Sequence, residues 1–102
     1  MDEITDATAI LRKLIHESKK AGAVTFEVWG GDEEPDYKGE VEQDIVQNLL
    51  ACDMTALVAV DEDGTRWGRW QIIPSNGEDV ISDYHCDKAG RADAVFNASV
   101  PN

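Results

Sequence analysis

The sequence predicts an α+β domain, a two-layer sandwich in which two long helices cover one face of a three-stranded mixed sheet. An apolar run, an acidic turn ending at Gly64 and a second apolar run form a β-hairpin signal over residues 57–73. Apolar residues recur at helical spacing in two other segments, and a segment between those two alternates as a strand does. The predicted order is helix, strand, helix, strand, strand, short helix.

The first helix is predicted over residues 3–21. Acidic residues stand at its beginning and Lys19 and Lys20 at its end, which suits the helix dipole. Gly22 supplies the stop, because glycine tolerates the left-handed conformation that follows many helices. Small and apolar residues at steps of three and four form the predicted buried stripe, which consists of Ile4, Ala7, Leu11, Leu14, Ile15 and Ser18.

The first strand and the second helix follow. Residues 23–29 alternate, with Val24, Phe26 and Val28 on one side of the predicted strand. The charged loop at 30–36 is expected to be mobile. The helical period then returns over residues 39–52.

The remaining elements come from the hairpin and the C-terminal part. Residues 54–60 form a nearly continuous apolar run, typical of a strand covered on both faces, and residues 65–73 form its partner. Because a strand–helix–strand unit favours a parallel crossover, we expect the first two strands to be parallel and the third to lie in the middle. Residues 75–84 begin with a capping box and predict a short helix, although an edge strand fits them too. Residues 1–84 are predicted as a single domain and residues 85–102 as a partly ordered segment.

The chain is short and strongly acidic. It has 102 residues, 21 of them acidic and nine basic, and a net charge of −12, which disfavours direct binding to nucleic acid or to an anionic membrane. No apolar run approaches the ~20 residues of a membrane span, and no signal-peptide pattern opens the sequence, so we expect a cytoplasmic protein. Cys52 and Cys86 are expected to be free thiols.

No motif indicates catalysis, a metal or a cofactor. The acidic turn at 61–64 fails the EF-hand pattern, because Ala59 and Trp70 stand where acidic ligands are needed. The histidines and cysteines lack the spacing of a zinc site. The serine, aspartate and histidine within 82–85 are too close in sequence to form a hydrolytic triad. We therefore expect no enzyme activity and no cofactor, and a small hydrolase is the least favoured alternative.

The tryptophans supply the main hypothesis about function. If the helices cover the sheet face that holds Phe26 and Trp70, then Trp29 and Trp67 emerge together on the other face, beside Arg69. Tryptophan and arginine are the residue types most enriched at the energetic centres of protein interfaces. We therefore expect a protein-binding surface, or a homodimer contact, at Trp29, Trp67 and Arg69. The alternation also permits Trp67 as a core residue, and the C-terminal segment as a cover for this face.

The acidic residues supply an alternative hypothesis, an acidic nucleic-acid mimic that inhibits a basic nucleic-acid-binding protein. We expect six carboxylates to form a continuous strip beside the second helix, namely Asp32, Glu33, Glu34, Asp36, Glu40 and Asp44. Salt separates the two hypotheses, because binding by the acidic strip weakens at high ionic strength and binding by the aromatic surface survives it.

Residues 45–84 resemble small uncharacterised proteins found in phages and prophages. The resemblance rests on a glycine-containing strand, a Gly/Asn turn and an ending similar to D-V-I-x-D-Y. The matching positions are Gly68, Asn76, Gly77, Asp79, Ile81, Asp83 and Tyr84. It implies a phage-derived protein that acts on a host component, and it brings no catalytic residues with it.

Overall fold

The computed structural model describes residues 3–85 and 90–100, which form three α-helices and one five-stranded antiparallel sheet. The helices are α1 (Glu3–Lys20), α2 (Glu42–Leu49) and α3 (Arg91–Ser99). The strands are β1 (Thr25–Trp29), β2 (Tyr37–Gly39), β3 (Thr55–Val60), β4 (Arg66–Ile72) and β5 (Ile81–His85). A 3-10 helix spans Pro74–Asp79 and connects β4 to β5.

The strand order is β2-β1-β3-β4-β5, and every neighbouring pair is antiparallel. The α+β class is confirmed, but the predicted three-stranded mixed sheet is wrong. Two further strands extend its edges, β2 beyond β1 and β5 beyond β4, and β3 rather than β4 lies at its centre. The predicted short helix at 75–84 is a 3-10 helix followed by an edge strand.

β1 and β3 are antiparallel because the chain reverses direction one extra time between them. β1 turns through residues 30–36 into β2, which pairs with it so that Val28 lies opposite Tyr37. α2 then leads back to the end of the sheet at which β1 ended, and β3 begins there with Ala56 opposite Trp29. A direct crossover from β1 through α2 to β3 would have produced the parallel pair that we expected.

α1 follows its prediction closely. It spans Glu3–Lys20, and the chain turns at Gly22, whose φ of +116° lies in the left-handed region. The side chain of Ile4 lies outside the part of the chain that the structure describes, and the rest of the predicted stripe is buried. These buried residues are Ala7, Leu11, Leu14, Ile15 and Ser18.

One face of the sheet packs against the helices and holds the core. The strand register places six buried residues on this face, namely Phe26, Val28, Leu57, Ala59, Trp70 and Ile72. The Trp70 ring lies so close over Gly68 that a Cβ at Gly68 would be 2.6 Å from Trp70 Cη2. Trp70 Nε1–H donates a hydrogen bond to the Ala92 carbonyl of α3 at 3.3 Å. The helices therefore cover the face with Phe26 and Trp70, which is the condition on which the predicted surface depended.

α3 shares this core. Ala92 and Val95 are buried in it, and Phe96 stacks on Tyr84 of β5 with ring centroids 4.6 Å apart. The helical layer therefore continues beyond residue 84, where we predicted that the domain ends. Residues 86–89, which include Cys86, lie outside the described part.

Candidate functional site

The face of the sheet opposite the helices, which we call the open face, carries rows of side chains from successive strands. Directly paired residues point to the same side of a sheet, so the register defines each row. The outer row, at the end where β1 finishes, consists of Trp29, Ala56, Gln71 and Asp83. The inner row consists of Glu27, Val58, Arg69 and His85.

A groove of about 520 Å³ lies along the outer row. The half-buried indole of Trp29 lines it on β1, and Asp83 and His85 line it on the edge strand β5. Between them lies the short side chain of Ala56, which leaves room above the sheet. The exposed side chain of Arg69 also lines the groove. The open face is therefore concave where the outer row crosses it.

Glu27 is a carboxylate buried on the open face, with 2% of its surface exposed. Arg66 donates to both of its oxygens, from Nε to Oε1 at 2.9 Å and from Nη2 to Oε2 at 3.0 Å. Trp29 Nε1–H donates to Oε1 at 3.0 Å. The hydrogen bonds from Arg66, more than that from Trp29, hold the pKa of Glu27 below its ordinary value of 4.5, and burial opposes them. The hydrogen bond from Trp29 also holds the indole in one orientation beside the groove.

The side chain of Arg69 has no hydrogen bond or ion pair with any other residue in the described ranges 3–85 and 90–100. Two carboxylates are its neighbours on the open face, and both are engaged by other groups. Glu27 accepts hydrogen bonds from Arg66, while Asp83 Oδ1 accepts the backbone N–H of Tyr84 at 2.8 Å. Among the described residues, therefore, no side chain occupies the guanidinium of Arg69.

Trp67 does not lie on the open face, so its predicted pairing with Trp29 is wrong. It is 2% exposed and belongs to the core on the helix-covered side. Its ring meets that of Trp70 edge to face, with centroids 5.8 Å apart, and the Arg91 guanidinium of α3 lies 4.6 Å from its centroid. Trp29 and Arg69 remain as the accessible members of the predicted surface.

A β-bulge explains the position of Trp67. Ala59 pairs with Gly68, but the next residue, Val60, pairs with Arg66, so β4 has one residue more than β3 at this point. The extra residue is Trp67, and a bulge changes the direction of the side chains around it. Arg66 consequently returns to the open face, where it meets Glu27, although simple alternation assigned Arg66 to the face of Trp70.

The six carboxylates of the predicted acidic strip are all exposed, but the fold divides them into two groups. Four lie in the loop between β1 and β2, whereas Glu40 and Asp44 follow β2 at its other end. The three residues of β2 separate the groups by roughly 10 Å. Lys38, which is exposed, lies between them.

Sequence reasoning missed part of the groove. It placed Arg69 beside Trp29, but it did not include Asp83, which lay in the helix predicted over 75–84, or His85, which lay in the C-terminal segment predicted as partly ordered. The edge-strand alternative for the same residues would have brought Asp83 to the open face through its pairing with Gln71.

The described residues also bear on a metal site and on a membrane span. No three His, Cys, Asp or Glu side chains there lie close enough to hold a metal ion, and no helix there is long and apolar enough to cross a membrane. Cys52 is a free thiol, as predicted, and it is exposed.

Comparison of the chain with protein-family models, with curated proteins and with solved structures gives no match. The resemblance of residues 45–84 to phage proteins stays a prediction.

Proposed function

We propose that this protein is a non-enzymatic binding module that recognises another protein through its open face, with Trp29 and Arg69 as the principal contacts. One observation supports it most directly. An exposed arginine without a partner in the described ranges lies beside a groove whose tryptophan is held in place by Glu27. Because an aromatic ring that is already oriented loses little side-chain entropy on binding, such a site favours association.

The charge of the chain favours a partner other than nucleic acid or a second copy. A net charge of −12 repels polyphosphate, and it also opposes the close approach of two identical chains. A different protein that contributes a short apolar segment avoids both costs. The groove suits such a segment, since Ala56 leaves space next to the Trp29 ring.

Affinity capture with matched variants tests the proposal. The full chain, Trp29→Ala and Arg69→Ala would be used as bait in lysates of cells in which the chain occurs naturally, with Lys13→Ala as the control. Lys13 is exposed on α1, on the helical side of the sheet. We expect one protein to be retained by the wild type and by Lys13→Ala, and both groove variants to weaken its binding at least about tenfold in a purified reconstitution. Equal retention by all four baits would contradict the proposal.

The acidic mimic remains the second candidate, because all six of its carboxylates are exposed and none forms an ion pair within the described part of the chain. It predicts a basic partner whose affinity falls steeply with salt. The triple variant Glu33→Gln, Glu34→Gln, Glu40→Gln, which changes no residue that lines the groove, would weaken that partner and leave a groove-bound partner unaffected. Binding that is lost in Trp29→Ala but keeps its strength at high salt would exclude the mimic.

A further inference from the structure

We propose that Arg69 binds a single carboxylate of the partner, carried by an extended segment that presents an apolar side chain to Trp29 two or three residues away. This inference rests on the proposed function and specifies the chemistry of the partner. It follows from the charges on the open face and from the strand spacing.

Arg69 differs from the three other arginines of the chain. Each of those lies within 4 Å of a carboxylate: Arg12 of Glu42 at 3.9 Å, Arg66 of Glu27 at 2.9 Å and Arg91 of Asp61 at 3.1 Å. In a chain with 21 acidic and nine basic residues, acceptors for an arginine are abundant. Arg69 alone among the four arginines has no such acceptor within the described residues.

The neighbouring carboxylates cannot turn to Arg69 without losing hydrogen bonds. Both oxygens of Glu27 accept hydrogen bonds from Arg66, and Oε1 accepts a third from Trp29. Asp83 lies diagonally across from Arg69 on β5, but its carboxylate is turned back to the Tyr84 N–H. An external carboxylate can therefore take the five donors of Arg69 without competition from these two.

The spacing of the strands gives the geometry of the segment. Trp29 and Arg69 lie on β1 and β4 in adjacent rows, with β3 between them, so their Cα atoms are roughly 12 Å apart. Arginine and tryptophan side chains extend towards each other across part of that distance. The rest of the distance between Trp29 and Arg69 is spanned by the bound segment. An extended segment advances about 3.3 Å per residue, so its apolar side chain and its carboxylate are two or three residues apart.

The charge of the protein limits the partner to one carboxylate. The chain's field repels a polyanion, and Asp32 and Asp83 also line the groove. A lone carboxylate in direct contact with Arg69 is within a Debye length of about 8 Å, where the local attraction acts. The segment is therefore neutral or basic apart from this group.

The probes are two tripeptides, acetyl-Phe-Ala-Asp-amide and its neutral isostere acetyl-Phe-Ala-Asn-amide. Nitrogen-15 NMR would follow Arg69 Nε–H and Trp29 Nε1–H during titration. We expect the aspartate peptide to shift both signals in a saturable way and to bind at least about tenfold more tightly than the asparagine peptide. Arg69→Gln should abolish the preference, and the control Lys13→Gln should keep it. Equal binding of both peptides, an unchanged preference in Arg69→Gln, or no shift with either peptide would overturn the inference.

The captured partner separates this inference from the proposed function. A partner that is lost in Trp29→Ala but retained by Arg69→Gln supports a binding module that depends on Trp29, and overturns both the carboxylate and the role of Arg69 as a principal contact. A partner that is lost in Trp29→Ala and in Arg69→Gln, and that loses affinity when one of its own Asp or Glu residues is made neutral, supports both. If no partner depends on Trp29 but the aspartate peptide is preferred, the carboxylate site stands and the proposed function fails.

Discussion

Glu27 and Arg66 are joined across a strand to which neither belongs. Glu27 lies on β1 and Arg66 on β4, with β3 between them, so the two hydrogen bonds pass over β3 where Val58 and Val60 are buried. The same carboxylate accepts the indole N–H of Trp29. One ion pair therefore ties three strands together and orients the aromatic residue of the groove.

The two arginines of the open face are expected to differ in their effect on stability. Arg66→Gln leaves Glu27 buried with the Trp29 indole as its remaining side-chain donor, and an unpaired buried charge is costly. Arg69→Gln removes no hydrogen bond within the described part of the chain. Thermal unfolding followed by circular dichroism should give a clearly lower midpoint for Arg66→Gln than for Arg69→Gln. Equal midpoints would mean that the ion pair contributes little.

Acid should remove the contribution of Glu27. Its pKa in the folded state lies below 4.5, so near that pH the unfolded chain binds a proton that the folded chain does not. The stabilisation is complete above pH 4.5 and is lost as the pH falls through the lower folded-state pKa. Urea unfolding at about pH 6 and about pH 3 should show a difference between wild type and Glu27→Gln that shrinks in acid. Glu62→Gln, in the exposed turn, is the control, and a difference independent of pH would contradict the prediction.

The two buried tryptophans should tolerate phenylalanine unequally. Trp70 Nε1–H donates to the Ala92 carbonyl, whereas Trp67 Nε1–H has no hydrogen-bond partner in the described structure. Trp70→Phe therefore loses a hydrogen bond and leaves a carbonyl without its donor, while Trp67→Phe removes a buried donor that was already unpaired. Urea unfolding should show Trp70→Phe to be less stable than Trp67→Phe by about 1 kcal/mol. If Trp67→Phe were instead the less stable variant, the ring contacts of Trp67 would contribute more to the free energy of unfolding than the hydrogen bond of Trp70 does.

Asp83 is expected to limit association through the edge of the sheet. Its carboxylate accepts the Tyr84 N–H, and β5 is an edge strand of the sheet. Exposed donors on an edge strand are a template for pairing with another chain. Asp83→Ala should therefore self-associate more than wild type in sedimentation velocity over a concentration series. Asp79→Ala makes the same change of charge outside the strands, and equal association of both variants would assign the effect to charge alone.

Elements with a long amphipathic period were predictable, and short elements were not. α1 carries its period over 18 residues, and β1 shows Phe26 and Val28 in clear alternation. β2 has only three residues, so it shows no period and is defined by its hydrogen bonds to β1. β5 has one buried residue, Ile81, followed by four that are exposed or half-buried, so its sequence shows no clear alternation. The capping box that precedes it therefore favoured a helix prediction.

The site was predictable as far as alternation holds. The period of two placed Trp29 and Arg69 on one face, which the register bears out. It failed at Trp67, because a bulge depends on how two strands pair and leaves no mark in the sequence of one of them. The Glu27–Arg66 ion pair was missed for the same reason, since the bulge is what brings Arg66 to the open face.

The short strand β2 sets the polarity of everything that follows it. If residues 30–40 were deleted, the chain would reverse direction one time fewer before β3. The strands β3 and β4 would then each run in the opposite direction relative to β1. Arg66 would then lie at the Trp29 end of the sheet and Gln71 at the opposite end, while Arg69, the middle residue of β4, would stay at mid-strand. The groove therefore depends on how many times the chain reverses direction before β3. That number is set by β2, whose three residues do not line the groove.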